Sequence, residues 1–166
     1  MDASPLLARI AALMEKHGLE AVLIGNAAAA LQGAPVTTLD FDFMFRRTAV
    51  NLRKLKAIAR DLDAVLLKPF YPQSSMIRLV RDRDGLQIDF MSVIDGVRSF
   101  EGLRARAARV NIGGSDVFVA GLSDIVKSKK AAGRPQDLAV LPVLEKTLEE
   151  KAPDTERKAG GSEAGE

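Results

Sequence analysis

Two aspartates one residue apart, Asp40 and Asp42, interrupt an otherwise apolar run that extends from Leu39 to Phe43. In a strand, successive side chains point to opposite faces, so both carboxylates share one face while Leu39, Phe41 and Phe43 occupy the other. With a rise of about 3.4 Å per residue, the two Cα atoms lie about 6.8 Å apart, which lets the carboxylate oxygens converge on one divalent ion. Because adjacent carboxylates repel each other unless a cation or a proton intervenes, the pair indicates a metal site. The alternative is an amphipathic edge strand that exposes its acids to water.

Composition narrows the class of protein. The chain has 166 residues, enough for one domain, and its 47% hydrophobic and 28% charged residues are typical of a globular fold. A net charge of +2 gives little support to a dedicated nucleic-acid binder. The absence of cysteine excludes disulfides and thiolate ligands, and a single histidine excludes a histidine-based metal site or catalytic triad. Without a signal-peptide pattern or a run of about 18 apolar residues, the chain is expected to be cytoplasmic and not to span a membrane.

Hydrophobic periodicity predicts a mixture of helices and strands. Helices are predicted over residues 4–17, 25–33, 47–62, 97–107, 122–132 and 136–150. Strands are predicted over residues 21–24, 38–45, 76–81, 86–91, 109–112 and 116–119, and the last four form two hairpins with Gly-containing turns. Ser123 is expected to cap the fifth helix. Residues 1–150 are expected to form one domain, and residues 151–166, rich in Gly and charge, a disordered tail.

Two further segments have the chemistry expected of a phosphate and metal site. Gly25 and Asn26 lie where a strand turns into a helix, and a glycine at such a junction lets a phosphate approach free backbone N–H groups. Asp89 lies on a later strand, on the face opposite its apolar neighbours. Each has a simpler interpretation: a glycine required by the turn, and an acid on a solvated face. Arg78, on the strand predicted to pair with that of Asp89, is expected to be a cross-strand partner for a carboxylate.

The order and spacing of these features resemble the DNA polymerase β-like nucleotidyltransferase superfamily. The pattern of that superfamily is an apolar residue, then Gly, then a Gly or a Ser, and after about a dozen further residues a pair of acids. In this chain the first three positions are Ile24, Gly25 and Asn26, and the pair of acids is Asp40 and Asp42. Asp89 corresponds to the third acid of the superfamily. Residues 25–43 are similar to small prokaryotic members that include AbiEii-type toxin nucleotidyltransferases. The C-terminal motif of those members, a Lys followed by Arg-Pro-x-Asp, resembles Lys129 followed by Arg134 to Asp137. Asn26 departs from the family pattern, which usually has Gly or Ser there.

This resemblance implies an α+β nucleotidyltransferase fold, with a mixed β-sheet, helices packed against it and a helical C-terminal segment. It also implies transfer of a nucleoside monophosphate from a nucleoside triphosphate (NTP), such as ATP, to an acceptor hydroxyl, with release of pyrophosphate. The implied ligands of two Mg²⁺ ions are Asp40, Asp42 and Asp89, and Asp89 could also help to deprotonate the hydroxyl. The implied nucleotide-binding residues are Gly25, Asn26, Lys129 and Asp137. Of these, Lys129 also has a catalytic role because it neutralises phosphate charge, and Asp137 positions that lysine or the nucleotide.

The sequence leaves the substrate and the biological setting open. The acceptor is a tRNA, a protein or a small molecule, and the resemblance to toxins raises a cognate antitoxin as a partner. One alternative is a non-catalytic nucleotide-binding or interaction module on the same fold. Another is a nucleic-acid-binding module that uses the basic segment 127–134, with Arg134 entering a minor groove.

Overall fold

A computed structural model describes residues 4–38, 40–68 and 76–160, with Ser4 and residues 152–160 described by their backbone alone. The helices of these residues are α1 (Ser4–His17), α2 (Gly25–Leu31), α3 (Ala49–Asp61), α4 (Phe100–Arg106), α5 (Leu122–Ala132) and α6 (Pro135–Gly160). The strands are β1 (Ala21–Ile24), β2 (Asp40–Phe45), β3 (Val65–Leu67), β4 (Ile77–Arg81), β5 (Leu86–Met91), β6 (Ala108–Ile112) and β7 (Ser115–Val119). No helix in this described part of the chain is both long and apolar enough to cross a membrane.

The strands form one mixed sheet in the order β3-β4-β5-β2-β1-β7-β6. β2 pairs parallel with β5 and antiparallel with β1, and β1 pairs parallel with β7. The hairpins β4–β5 and β6–β7 are antiparallel, as their turn residues predict. The α+β class, the mixed sheet and the helical C-terminal segment are therefore confirmed. The acid-bearing strand lies in the middle of the sheet and is not an edge strand.

The core explains why β2 alternates. Phe41 and Phe43 are almost completely buried, whereas Asp40 on the other face is exposed and Asp42 is partly exposed. Phe43 stacks on Phe90 of β5 with ring centroids 5.3 Å apart, and such stacked pairs add to the hydrophobic gain of burial. The aromatic face fixes the register of β2, because a slip by one residue would bury the carboxylates and expose the rings.

Several element boundaries differ from the prediction. β3 was not predicted, because three residues are too few for alternation to be visible. Gly121, not Ser123, precedes the first residue of α5, and the helix start has no side-chain cap. The last helix continues to Gly160, beyond its predicted end at residue 150. The structure describes residues 152–160 by their backbone alone and does not describe residues 161–166, so the predicted disordered tail stays a prediction. The predicted domain boundary at residue 150 also stays a prediction. Leu39, which was predicted to lie in the acid-bearing strand, is outside the described residues.

Candidate active site

The sheet brings the three predicted acids onto one face. In the parallel pair β2–β5, Asp42 lies directly across from Asp89, and Asp40 lies across from Gln87, two residues before Asp89. Because side chains alternate along each strand, Asp40, Asp42 and Asp89 all point to the same side of the sheet. The two strands are far apart in the sequence, so this cluster depends on the topology of the whole sheet.

Asp89 is held in place by its neighbours on the same face. Arg78 of β4 donates from Nε to Oδ1 over 2.8 Å and from Nη2 to Oδ2 over 3.1 Å, and Gln87 donates to Oδ2 over 3.3 Å. Arg78 and Asp89 are directly paired in the antiparallel register; the sequence predicted a carboxylate partner for Arg78 without identifying which one. Asp89 is only 7% exposed, so this bidentate ion pair compensates for much of the cost of burying the carboxylate.

Asp42 lies at the electrostatic centre of the cluster. Burial, followed by the charges of Asp89 and Asp40, raises its pKa from 3.8 to about 6, while Lys129 and Arg134 act in the opposite direction. The pKa of Asp42 is therefore influenced by the charges of two acids and, in the opposite direction, by two basic groups of the α5–α6 corner. Burial is the largest cause of the raised pKa, and the two acids add to it more than the two basic groups offset.

Gly25 lies directly against Asp42. Its φ of 69° is left-handed, and a Cβ at this position would lie 3.0 Å from Oδ2 of Asp42. A side chain at residue 25 would thus be strained by the backbone and would press on the carboxylate. Asn26 follows at the start of α2, and its Oδ1 is buried without a hydrogen-bond partner among the described residues. Asn26 thus has an unsatisfied polar atom one residue after the glycine that approaches Asp42.

The basic side of the cluster is organised by Asp137. Lys129 donates to Oδ1 of Asp137 over 3.3 Å, and Arg134 donates from Nε to Oδ2 over 2.6 Å and from Nη2 to Oδ1 over 3.2 Å. Burial works against ionisation of Asp137, which is 1% exposed, but the hydrogen bonds from Arg134 and the charge of Lys129 lower its pKa overall. Asp137 thereby fixes the corner between α5 and α6 near Asp42. Arg134, which was predicted only as part of a motif, is part of this arrangement, and its i,i+3 spacing to Asp137 is the sequence signal for it.

The acid cluster suits a hard divalent cation. Within the described ranges, no group of three or more His, Cys, Asp or Glu side chains is already arranged to hold a metal ion. The donor set nevertheless fits, because carboxylate oxygens are the preferred ligands of Mg²⁺. Burial and then the charges of two neighbouring acids raise the pKa of Asp42, and a divalent cation would offset those charges. Asp40 and Asp42 form no side-chain ion pair with any described residue, so their oxygens are available.

Comparison with known proteins identifies the family. The model of the family described as "Nucleotidyl transferase of unknown function (DUF2204)" matches residues 4–158. The chain belongs to this family. It is a nucleotidyltransferase, in agreement with the superfamily expected from the sequence. A comparison with curated proteins gives no significant match.

Solved structures show the same fold. ANT(2'')-Ia in complex with adenylyl-2''-tobramycin is 16% identical, with a TM-score of 0.64 over 97% of this chain and 98% of that one. The lincosamide antibiotic adenylyltransferase LnuA, with lincomycin bound, is 12% identical, with a TM-score of 0.61 over 87% and 96% of the two chains. TM1012 from Thermotoga maritima is 20% identical, with a TM-score of 0.57 over 88% and 92%. The family's nucleotidyltransferase fold therefore extends over most of this chain.

Proposed function

We propose that this nucleotidyltransferase transfers a nucleoside monophosphate from an NTP to an acceptor hydroxyl in a Mg²⁺-dependent reaction, and that Asp40, Asp42 and Asp89 hold the metal. The observation that carries the proposal is the environment of Asp42, which lies across from Asp89 and shares a strand face with Asp40. Asp42 also lies so close to Gly25 that a Cβ there would be 3.0 Å from its carboxylate, and its pKa is influenced by the charges of Lys129 and Arg134. A set of acids with basic groups close to it suits a metal-bound polyphosphate, because the acids can hold the metal and the basic groups can bind the phosphates.

The covalent step is a displacement at phosphorus. The acceptor oxygen forms a bond to the α-phosphorus, and the bond between that phosphorus and the oxygen bridging to the β-phosphate breaks. Pyrophosphate leaves with the electron pair, and the hydroxyl proton passes to a carboxylate. Mg²⁺ bound to the carboxylates would neutralise charge on the triphosphate.

Each site residue has a proposed task. Asp40 and Asp42 present free oxygens, and Gly25 leaves space beside Asp42. Asn26 follows Gly25, and its amide nitrogen is the group that would donate to a phosphate oxygen. Lys129, fixed by Asp137, supplies a positive charge for phosphate oxygens. Asp89 is oriented by hydrogen bonds from Arg78 and Gln87. These bonds occupy one acceptor position on Oδ1 and two acceptor positions on Oδ2. Since a carboxylate offers about four acceptor positions, one position on Oδ1 is left for a metal or for the acceptor hydroxyl.

The identities of the NTP donor and of the acceptor are further parts of the proposal. The structure of ANT(2'')-Ia contains adenylyl-2''-tobramycin, and that of LnuA contains lincomycin. Both similarities favour a small hydroxylated molecule as one class of acceptor. A tRNA or a protein acceptor, with a cognate antitoxin as partner, is the class favoured by the resemblance to toxin nucleotidyltransferases. All four NTPs, ATP first, are candidate donors.

The test is Mg²⁺-dependent pyrophosphate release. The purified chain is incubated with each NTP in turn, together with total tRNA, a cell extract or an aminoglycoside, and the radiolabelled product identifies the acceptor. Asp40→Asn/Asp42→Asn should abolish release. The matched control is Asp82→Asn/Asp84→Asn, which removes two acids at the same spacing from the β4–β5 turn and should retain release. Equal release by both double variants would contradict the assignment of the metal ligands.

A further inference from the structure

A cavity with a mainly cationic lining lies beside the candidate active site; we call it the second cavity. It has a volume of about 340 Å³ and lies between the segment before and within α4 and the side of α5, lined by Gly96, Arg98, Ser99, Gly102, Arg106, Asp124 and Lys127. This volume is in the range of small-ligand sites, which begins at about 300 Å³. Three of the lining side chains are cationic and one is a carboxylate, so the lining has an excess of positive charge.

Two of the three cations of this cavity, Arg98 and Lys127, are not neutralised by nearby acids. Arg98 and Lys127 are exposed and form no ion pair with any residue that the structure describes. Glu101, on the same helix as Arg106, instead accepts from Arg46 at 2.7 Å. Asp95, next to Gly96, acts on Arg134 and does not line the cavity. The nearby acids are thus directed to other cations, and Arg98 and Lys127 are left to interact with a ligand.

The third cation is ion-paired at the cavity wall. Arg106 donates from Nε and Nη2 to the two oxygens of Asp124, at 3.0 and 3.1 Å, and Asp124 is only 8% exposed. A carboxylate is costly to bury, and here its hydrogen bonds are made to this one guanidinium. The pair leaves Nη1 of Arg106 without a partner among the described residues, close to Gly102, where a Cβ would lie 3.3 Å away.

The cavity walls are fixed by close backbone packing. Gly96 has a φ of 76°, and a Cβ there would lie 2.9 Å from the carbonyl oxygen of Lys127. The segment that carries Arg98 is therefore packed directly on the turn of α5 that carries Lys127. The backbone of both segments is thus fixed before binding, so that a ligand has to order only the side chains of Arg98 and Lys127.

The geometry points to this cavity as a binding site for a phosphate group of the acceptor substrate. Guanidinium groups and an ammonium group around one space, with the Ser99 hydroxyl beside them, are the donors that recognise phosphate. The assignment to the acceptor rests on the proposed function. Asp124 lines both this cavity and a smaller one of about 30 Å³ bounded by Gly25 and Lys129, so the second site adjoins the catalytic one.

The experiment measures phosphate binding without NTP or turnover. Ribose 5-phosphate is titrated into the ¹⁵N-labelled full chain at constant ionic strength, with ribose as the ligand lacking phosphate, and backbone amide shifts are followed by NMR. We expect saturable shifts at residues 96–102 and 124–127 with the phosphate alone. Arg98→Gln/Lys127→Gln should raise Kd by about tenfold or more. Lys56→Gln/Arg83→Gln, which removes two exposed cations elsewhere, should leave Kd unchanged.

Competition then identifies the source of the phosphate. If tRNA displaces ribose 5-phosphate, the acceptor is a nucleic acid, and if tRNA has no effect, the acceptor is a small phosphorylated molecule; both results support the site. The site is overturned if no saturable shift occurs, if the double variant binds as the unmodified chain does, or if the shifts centre on Gly25 and Lys129. Because no NTP is present, failure of nucleotidyl transfer would contradict only the proposed function.

Discussion

At the scale of single residues, Asp42 is the acid of the site whose ionisation the folded chain opposes, because its pKa is raised to about 6. Its side chain is partly buried, and the two neighbouring acids add to the effect of burial on its pKa. The folded chain therefore binds a proton at Asp42 more tightly than the unfolded chain does. A site that binds a metal cation pays such a cost in its empty state, and the cost falls when the cation binds.

The pH dependence of stability tests this account. The pKa of Asp42 is about 6 in the folded state against 3.8 as its ordinary value, so the free energy of unfolding should fall as pH rises from about 4 to about 6. Asp42→Asn removes the penalty and should stabilise the metal-free chain by about 1–3 kcal/mol at pH 7.5, with little effect below pH 4. Urea unfolding in EDTA at both pH values measures this. A stabilisation of equal size at pH 4 and 7.5 would show that charge is not its cause.

The Arg78–Asp89 pair gives a second test at this scale. Arg78→Met leaves the buried carboxylate without its two charge-assisted hydrogen bonds, and the loss should be about 1–3 kcal/mol because the Arg78 side chain is itself 36% exposed. Asp89→Asn in the same chain should recover part of it. The control Arg83→Met breaks the exposed pair with Asp63 and should cost less than about 0.5 kcal/mol. Additive losses in the Arg78→Met/Asp89→Asn chain would mean that the two side chains are not coupled.

At the scale of elements, the junction of β1 and α2 tests whether space beside Asp42 matters. Gly25→Ala introduces a left-handed alanine and a Cβ 3.0 Å from the carboxylate, whereas Gly85→Ala, at a φ of 70°, has nothing within 4 Å. Both variants should lose about 1–2 kcal/mol of stability from backbone strain. Only Gly25→Ala should also lose pyrophosphate release, by about 100-fold, because it displaces Asp42. Equal activity in the two variants would show that the close approach has no role in the reaction.

The elements also show what the sequence could reveal. β2 and the β4–β5 hairpin were predicted because alternation and a Gly-containing turn are local signals, and Arg78 was matched to a carboxylate because the two strands are joined by that turn. The Arg106–Asp124 pair was not predicted. Its members are 18 residues apart on different helices, and only the packing of α4 beside α5 brings them together. The second cavity depends on that packing and was missed for the same reason.

At the scale of the whole molecule, the site is a junction of distant segments. Gly25, Asp42, Asp89 and Lys129 come from β1–α2, β2, β5 and α5, and no two neighbouring elements contain the whole set. The unfolded chain therefore has no comparable site. A ligand that contacts all four segments should link the sheet to the α5–α6 corner and bind only the folded state.

Thermal stability should consequently depend on metal and nucleotide together. A ligand at 100 times its Kd adds about 2.7 kcal/mol to the stability of the folded state, which for a domain of this size corresponds to a rise in Tm of about 5–10 °C. We expect this rise with a non-hydrolysable ATP analogue and Mg²⁺, and a smaller one with either alone, since Asp40 and Asp42 repel the triphosphate until a cation lies between them. Asp40→Asn/Asp42→Asn should make the response independent of Mg²⁺, whereas Asp82→Asn/Asp84→Asn should leave it unchanged. Differential scanning calorimetry distinguishes these cases, and a Mg²⁺-dependent rise that persists in the Asp40→Asn/Asp42→Asn chain would place the metal on other residues.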